Sequence, residues 1–188
     1  FIGFALGQRA WWLIIHIAFW PAAIAARTFN IAASVYLGAF LLVLLFYWNT
    51  YRTQVPLYLS GRKIWDSLAA LLPKEKPFRF VDIGCGFGGV LAHLSRAYPH
   101  GRYFGVELAP VPWLVAWLRS LLGGRRYRVA RRDYARIDLA NFDIVFCFLS
   151  PAAMPQLWRQ ARQKMRKGTL LVSCEFDVPG QKPSFEVE

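Results

Sequence analysis

The stretch Val81-Asp82-Ile83-Gly84-Cys85-Gly86-Phe87-Gly88 passes from an apolar run into glycines at alternate positions. The residues leading into it, Phe78 to Gly84, read as a short strand, and those after it, Val90 to Ala97, read as a helix. Glycines at a strand-to-helix turn permit positive φ and let a ligand approach the backbone closely. The spacing is G-x-G-x-G, not the G-x-G-x-x-G of dinucleotide sites. Glu107 lies 23 residues after Gly84, at the end of the next strand, Arg102 to Glu107. A carboxylate there can accept hydrogen bonds from both hydroxyls of a ribose.

Working outward, strands and helices continue to alternate. Val111 to Leu122 reads as a helix stopped by Gly123-Gly124, and Tyr127 to Arg131 as a third strand. Phe142 to Leu149 is nearly all apolar, as expected of a strand covered on both faces. Ala152 to Met165 is a helix, Thr169 to Cys174 a fifth strand, and Ser184 to Glu188 the start of another. The pattern predicts an α/β fold: a Rossmann-like, doubly wound, mostly parallel sheet with crossover helices. It occupies residues 78–188. A linker over 52–77 carries an amphipathic helix with Ile64, Trp65, Leu68, Leu71 and Leu72 at helical spacing, ended by Pro73.

The first 51 residues differ in kind. Residues 10–26 and 28–51 carry no charge, and the first acidic residue of the chain is Asp66. A spanning helix needs roughly 20 apolar residues. The two runs predict a transmembrane helical hairpin, with Trp11-Trp12 and Tyr47-Trp48 meeting at one membrane face. Arg52, Arg62, Lys63, Lys74, Lys76 and Arg79 follow the second run. By the positive-inside rule they predict a cytoplasmic domain, at a bacterial inner membrane or, in a eukaryote, in the mitochondrion.

Charge and composition narrow the classes. The 188 residues hold 23 basic and 11 acidic groups, a net +12, yet 56% are hydrophobic and only 18% charged. That combination excludes an acidic disordered tail, and three cysteines exclude a disulfide scaffold. Cys85, Cys147 and Cys174 have no metal-ligand spacing, so no metal is expected, and they read as reduced thiols. Residues 52–188 carry 21 of the basic groups and all 11 acidic ones, the arginines clustering at Arg125–Arg132 and Arg159–Lys167. Such clusters suit an anionic lipid surface, a nucleic acid or a solvated face. The lipid surface is the partner expected, and nucleic acid is not.

Asp82-x-Gly-x-Gly-x-Gly together with Glu107 resembles the S-adenosylmethionine site of the class I, seven-strand methyltransferases, over about residues 77–177. The resemblance implies S-adenosyl-L-methionine as cofactor, bound by Asp82, Gly84, Cys85, Gly86, Gly88, Glu107, Leu108 and Asp133. Read on its own, Asp133 in Arg131-Arg-Asp-Tyr134 can equally serve to neutralise its arginines. Ser150 and Pro151, after the fourth strand, stand where the loop faces the transferred methyl group. No catalytic base presents itself.

Phe148-Leu149-Ser150-Pro151, then a helix, then Lys167-Gly-Thr-Leu-Leu-Val-Ser-Cys-Glu-Phe176, resembles a narrower group. These are the membrane-anchored lysine methyltransferases of the adenine nucleotide translocase and the ATP synthase c-subunit. That group tends to carry an acid and an arginine in its glycine loop, where Phe87 and Gly89 stand here. The resemblance implies a membrane-anchored enzyme acting on lysine of a membrane protein. The alternatives are a lipid, hydrophobic small-molecule or RNA methyltransferase, and a non-catalytic cofactor-binding membrane interaction module.

Overall fold

Alternation along β1 (Arg79–Ile83) sends Phe80 to one face of a sheet and Val81 and Ile83 to the other, and both faces are buried. The computed structural model describes residues 11–29, 31–46 and 60–186. It divides into two units, Phe1–Val43 and Leu44–Glu188.

The larger unit is a five-stranded sheet of order β3-β2-β1-β4-β5, parallel throughout. Its other strands are β2 (Arg102–Glu107), β3 (Tyr127–Arg131), β4 (Ile144–Cys147) and β5 (Leu170–Ser173). Three helices cover one face, written here in chain order after the two N-terminal helices: α3 (Arg62–Ala70), α4 (Gly89–Ala97) and α5 (Pro110–Leu122). Leu68, Leu91, Leu94 and Ala116 from these helices pack on Phe80, Tyr103 and Phe146. The other face is covered by α6 (Met154–Lys164) and a short turn at Leu139–Asn141. There Met154, Leu157 and Leu139 meet Val81, Ile83 and Val145. The expected Rossmann-like sheet is therefore present, with its central strands β1 and β4 buried as their apolar runs demand.

Two expectations are corrected. Ser184, Phe185 and Glu186 take no strand pairing, and the last two residues lie outside the described ones. The transmembrane hairpin does not form: among the described residues, no helix is long and apolar enough to cross a membrane. The N-terminal unit instead holds α1 (Trp11–Thr28) and α2 (Ala33–Phe46). The physical reason differs between the two. At about 1.5 Å per residue, α1 approaches spanning length, but His16, Pro21, Arg27 and Thr28 dilute its apolar content. α2 is uniformly apolar but has 14 residues, about 21 Å against a hydrocarbon core of about 30 Å. The integral anchor expected as a partner contact falls with the spans, and the orientation drawn from the positive flank depended on them. Tyr47, Trp48, Tyr51 and the Val55–Leu59 segment lie outside the described residues.

Leu91 is fully buried between α4 and the sheet, whereas Leu122 at the end of α5 is 89% exposed. Leu91→Ala is expected to lower unfolding free energy by roughly 2–5 kcal/mol in urea titrations. Leu122→Ala should stay within about 0.5 kcal/mol of the parent. Equal effects of the two would contradict this packing.

Candidate functional site

β1 delivers its glycines at the C-terminal edge of the sheet, beside the ends of β2 and β4. Gly84, Gly86 and Gly88 all adopt positive φ, at 75°, 52° and 70°. At Gly84 a Cβ would also stand 2.7 Å from Leu149 Cδ2, so a side chain there would be strained by the backbone and would have to displace the leucine methyl. Gly84 N and Cys85 N donate to Val106 O at 2.9 and 3.1 Å, and Gly88 N donates to Cys85 O at 2.8 Å. The loop is thereby folded back onto the end of β2.

Glu107 completes that attachment. Its Oε2 accepts from Gly86 N at 2.9 Å, and its Oε1 from Leu108 N and Ala109 N, both at 2.8 Å. A carboxylate offers about four lone-pair sites, so three backbone donors leave room on Oε2 for a further one. Burial raises its pKa, and the three N–H groups oppose that rise. Asp82 lies in the same low-dielectric region. Burial first, and then the Glu107 charge, push its pKa from 3.8 up to about 8. Cys85 is buried beside both acids, and burial above all lifts its thiol well above its ordinary range.

The remaining expected residues are less tightly drawn in. Leu108 contributes its amide to Glu107, and its carbonyl accepts from Arg131 Nε at 3.4 Å. Asp133 caps the turn Tyr134–Arg136 by accepting from Ala135 N at 2.9 Å. Among the described residues it makes no ion pair with Arg131 or Arg132. Ser150 is buried directly after the β4 end, and its Oγ has no hydrogen-bond partner; Pro151 beside it is exposed.

Several contributors were missed by sequence reasoning. Trp113, in the first turn of α5, also buries an unpartnered donor, Nε1. Gly105, within β2, leaves space that a Cβ would deny to Cys85 Sγ, at 2.8 Å, and a glycine inside a strand is the signal for such close approach. A loop of three glycines at positive φ and a carboxylate with one free lone pair beside it together fit a polar ligand carrying a ribose. Those features are what S-adenosylmethionine requires of a cofactor cradle.

Comparison with known proteins agrees with this geometry. The family model described as the ANTKMT methyltransferase domain matches residues 82–185, more than half of the chain. The chain is 29% identical over 131 residues to the ATP synthase c-subunit lysine N-methyltransferase of Rattus norvegicus, covering 66% of this chain and 56% of that protein. It is 30% identical over 110 residues to the enzyme of the same name from Mus musculus, covering 55% of this chain and 42% of that one. The chain thus spans about half the length of these curated relatives. Among solved structures, an RNA methyltransferase from Salinibacter ruber bound to S-adenosyl-L-homocysteine superposes with a TM-score of 0.64 at 20% identity. It covers 70% of this chain and 86% of that one, a likeness of fold.

The raised acid has a consequence for stability. Between about pH 4 and about pH 8 the unfolded chain carries Asp82 ionised while the folded one keeps it protonated. Folding therefore takes up a proton, and stability falls as pH rises through that window, levelling off above about pH 8. Asp82→Asn should flatten this slope in urea titrations repeated across the window. An unchanged slope in the variant would contradict the assignment.

Proposed function

The chain belongs to the ANTKMT methyltransferase domain family of S-adenosylmethionine-dependent enzymes, and from that premise we propose that it methylates lysine side chains of a protein substrate. The lysine specificity named for the rat and mouse relatives supports this reading. The single observation that carries the cofactor half of it is the Glu107 carboxylate, held by Gly86, Leu108 and Ala109 with one acceptor position left over.

Bound S-adenosylmethionine would supply an electrophilic methyl group on a sulfonium for transfer to a lysine nitrogen. We assign the chain's residues as follows. Gly84, Cys85, Gly86 and Gly88 present backbone to the amino-acid end and ribose, because no Cβ intervenes at the three glycines. Glu107 Oε2 accepts from a ribose hydroxyl through its remaining lone pair. Asp82 lies under the loop as the buried acid nearest a cationic ligand, whose charge would favour the ionised carboxylate. Leu108 and Asp133, after β2 and β3, border the adenine.

On the acceptor side we assign Ser150 and Pro151, with Ser150 Oγ as the buried polar atom that lacks a partner. A lysine ammonium has to lose its proton before it can attack, its ordinary pKa being about 10.4. The work left to the protein is alignment of the amine with the methyl carbon and exclusion of water.

Glu107→Gln replaces one acceptor oxygen with an NH2 group and loses a charge-assisted contact, which is worth roughly 1.5–3 kcal/mol. Calorimetry should show S-adenosylmethionine affinity falling by roughly 10- to 100-fold. Methyl-labelled cofactor incubated with the parent chain and a cell extract should leave label on lysine, released by protease and not by lipase or ribonuclease. Label recovered in lipid or RNA would overturn the lysine assignment while leaving the cofactor site standing.

A further inference from the structure

α5 is amphipathic the wrong way round for an ordinary surface helix. Its buried stripe is made of small residues, Pro112, Ala116 and Ser120, four apart. Its outward stripe carries Leu114, Val115, Trp117, Leu118 and Leu122, of which Trp117 is 40%, Leu118 44% and Leu122 89% exposed. Trp113 and Trp117 stack with ring centroids 6.3 Å apart. Contiguous apolar surface of this kind marks a contact face.

Charge says what the contact is with. From Ala109 to Arg132 the chain has six arginines, at 119, 125, 126, 128, 131 and 132, and no acidic residue. All six are exposed, and none forms an ion pair among the described residues. Arg119 borders the apolar stripe and also lines a cavity of about 610 Å³ with Arg62, Arg96, His93 and Trp65. No carboxylate belongs to that lining; the neighbouring Asp66 is taken by His93 Nε2 at 3.0 Å.

We propose that the outward face of α5 is a peripheral docking surface for an anionic lipid bilayer, its Leu, Val and Trp side chains entering the acyl boundary and its arginines lying among the headgroup phosphates. Leucine and tryptophan on one side of a helix with arginines at its border and end is the composition of interfacial helices. The Arg62–Arg96–Arg119 cavity is a depression in which a headgroup phosphate meets three guanidinium groups. A nucleic acid would press its phosphates on five apolar side chains. A second copy would bring each arginine cluster against its own image. A bilayer with anionic headgroups matches both the grease and the charge. Leu118, Leu122, Arg125 and Arg126 are not among the residues assigned to the cofactor, and the inference does not depend on what is methylated.

The test uses the full chain, co-sedimented with vesicles of phosphatidylcholine alone and of phosphatidylcholine with phosphatidylglycerol. Binding should favour the anionic vesicles and weaken with added salt. The pair Leu118→Gln/Leu122→Gln should reduce partition by roughly tenfold. The pair Arg125→Gln/Arg126→Gln should reduce it by roughly 25-fold, about fivefold for each arginine, and shrink the salt dependence. Cofactor affinity reports that both variants keep their fold. Partition that is the same for parent and variants, or as strong on neutral vesicles, overturns the proposal. So does loss of RNA binding or of dimerisation, in place of vesicle binding, in the leucine variant.

Discussion

The carboxylate of Glu107 accepting backbone N–H from Gly86, Leu108 and Ala109 is the constraint on which the site depends. It joins three things that the chain makes separately: the end of β2, the turn after β1 and the start of α5. Without it, a loop with three residues at positive φ would have to hold its shape from Val106 O and its own internal bond alone. The arrangement is costly, because it buries one carboxylate beside another. Asp82 bears most of that cost as a proton kept far above the range in which a carboxyl ordinarily titrates.

Much of this was legible in the sequence because it rests on short-range rules. Glycines at alternate positions after an apolar run can hardly be anything but a tight turn after a strand. The position of Glu107 follows from the length of one helix and one strand. The near-continuous apolar runs of β1 and β4 announce burial on both faces. Asp133 was harder, since a side chain that caps its own turn leaves no trace in composition. Gly105 matters through neighbours far away in the chain, Cys85 and Leu91.

The N-terminal misreading has a different origin. A charge-free run is not the same quantity as a helix. The 24 uncharged residues after Arg27 yield a described helix of 14, and 16 of the 17 before it lie in a helix that includes Pro21 and His16. Counting absent charges measures what a segment can tolerate around it; the hydrogen-bonded length sets how far it reaches. The basic charge was similarly blurred by averaging. Once the chain is divided, the arginines of residues 119–132 follow an apolar helix face in the sequence and no longer look like a diffuse property of the molecule.

α5 is also a rod. Its first residue follows Ala109, whose amide is held by Glu107, and near its far end Ser120 Oγ donates to Tyr127 O on β3. Thirteen residues long, about 20 Å, it is moored at one end to Glu107 on β2 and near the other to Tyr127 on the edge strand β3. The start of α5 and the turn at Gly86 therefore share one carboxylate, and Glu107 sets the distance between them.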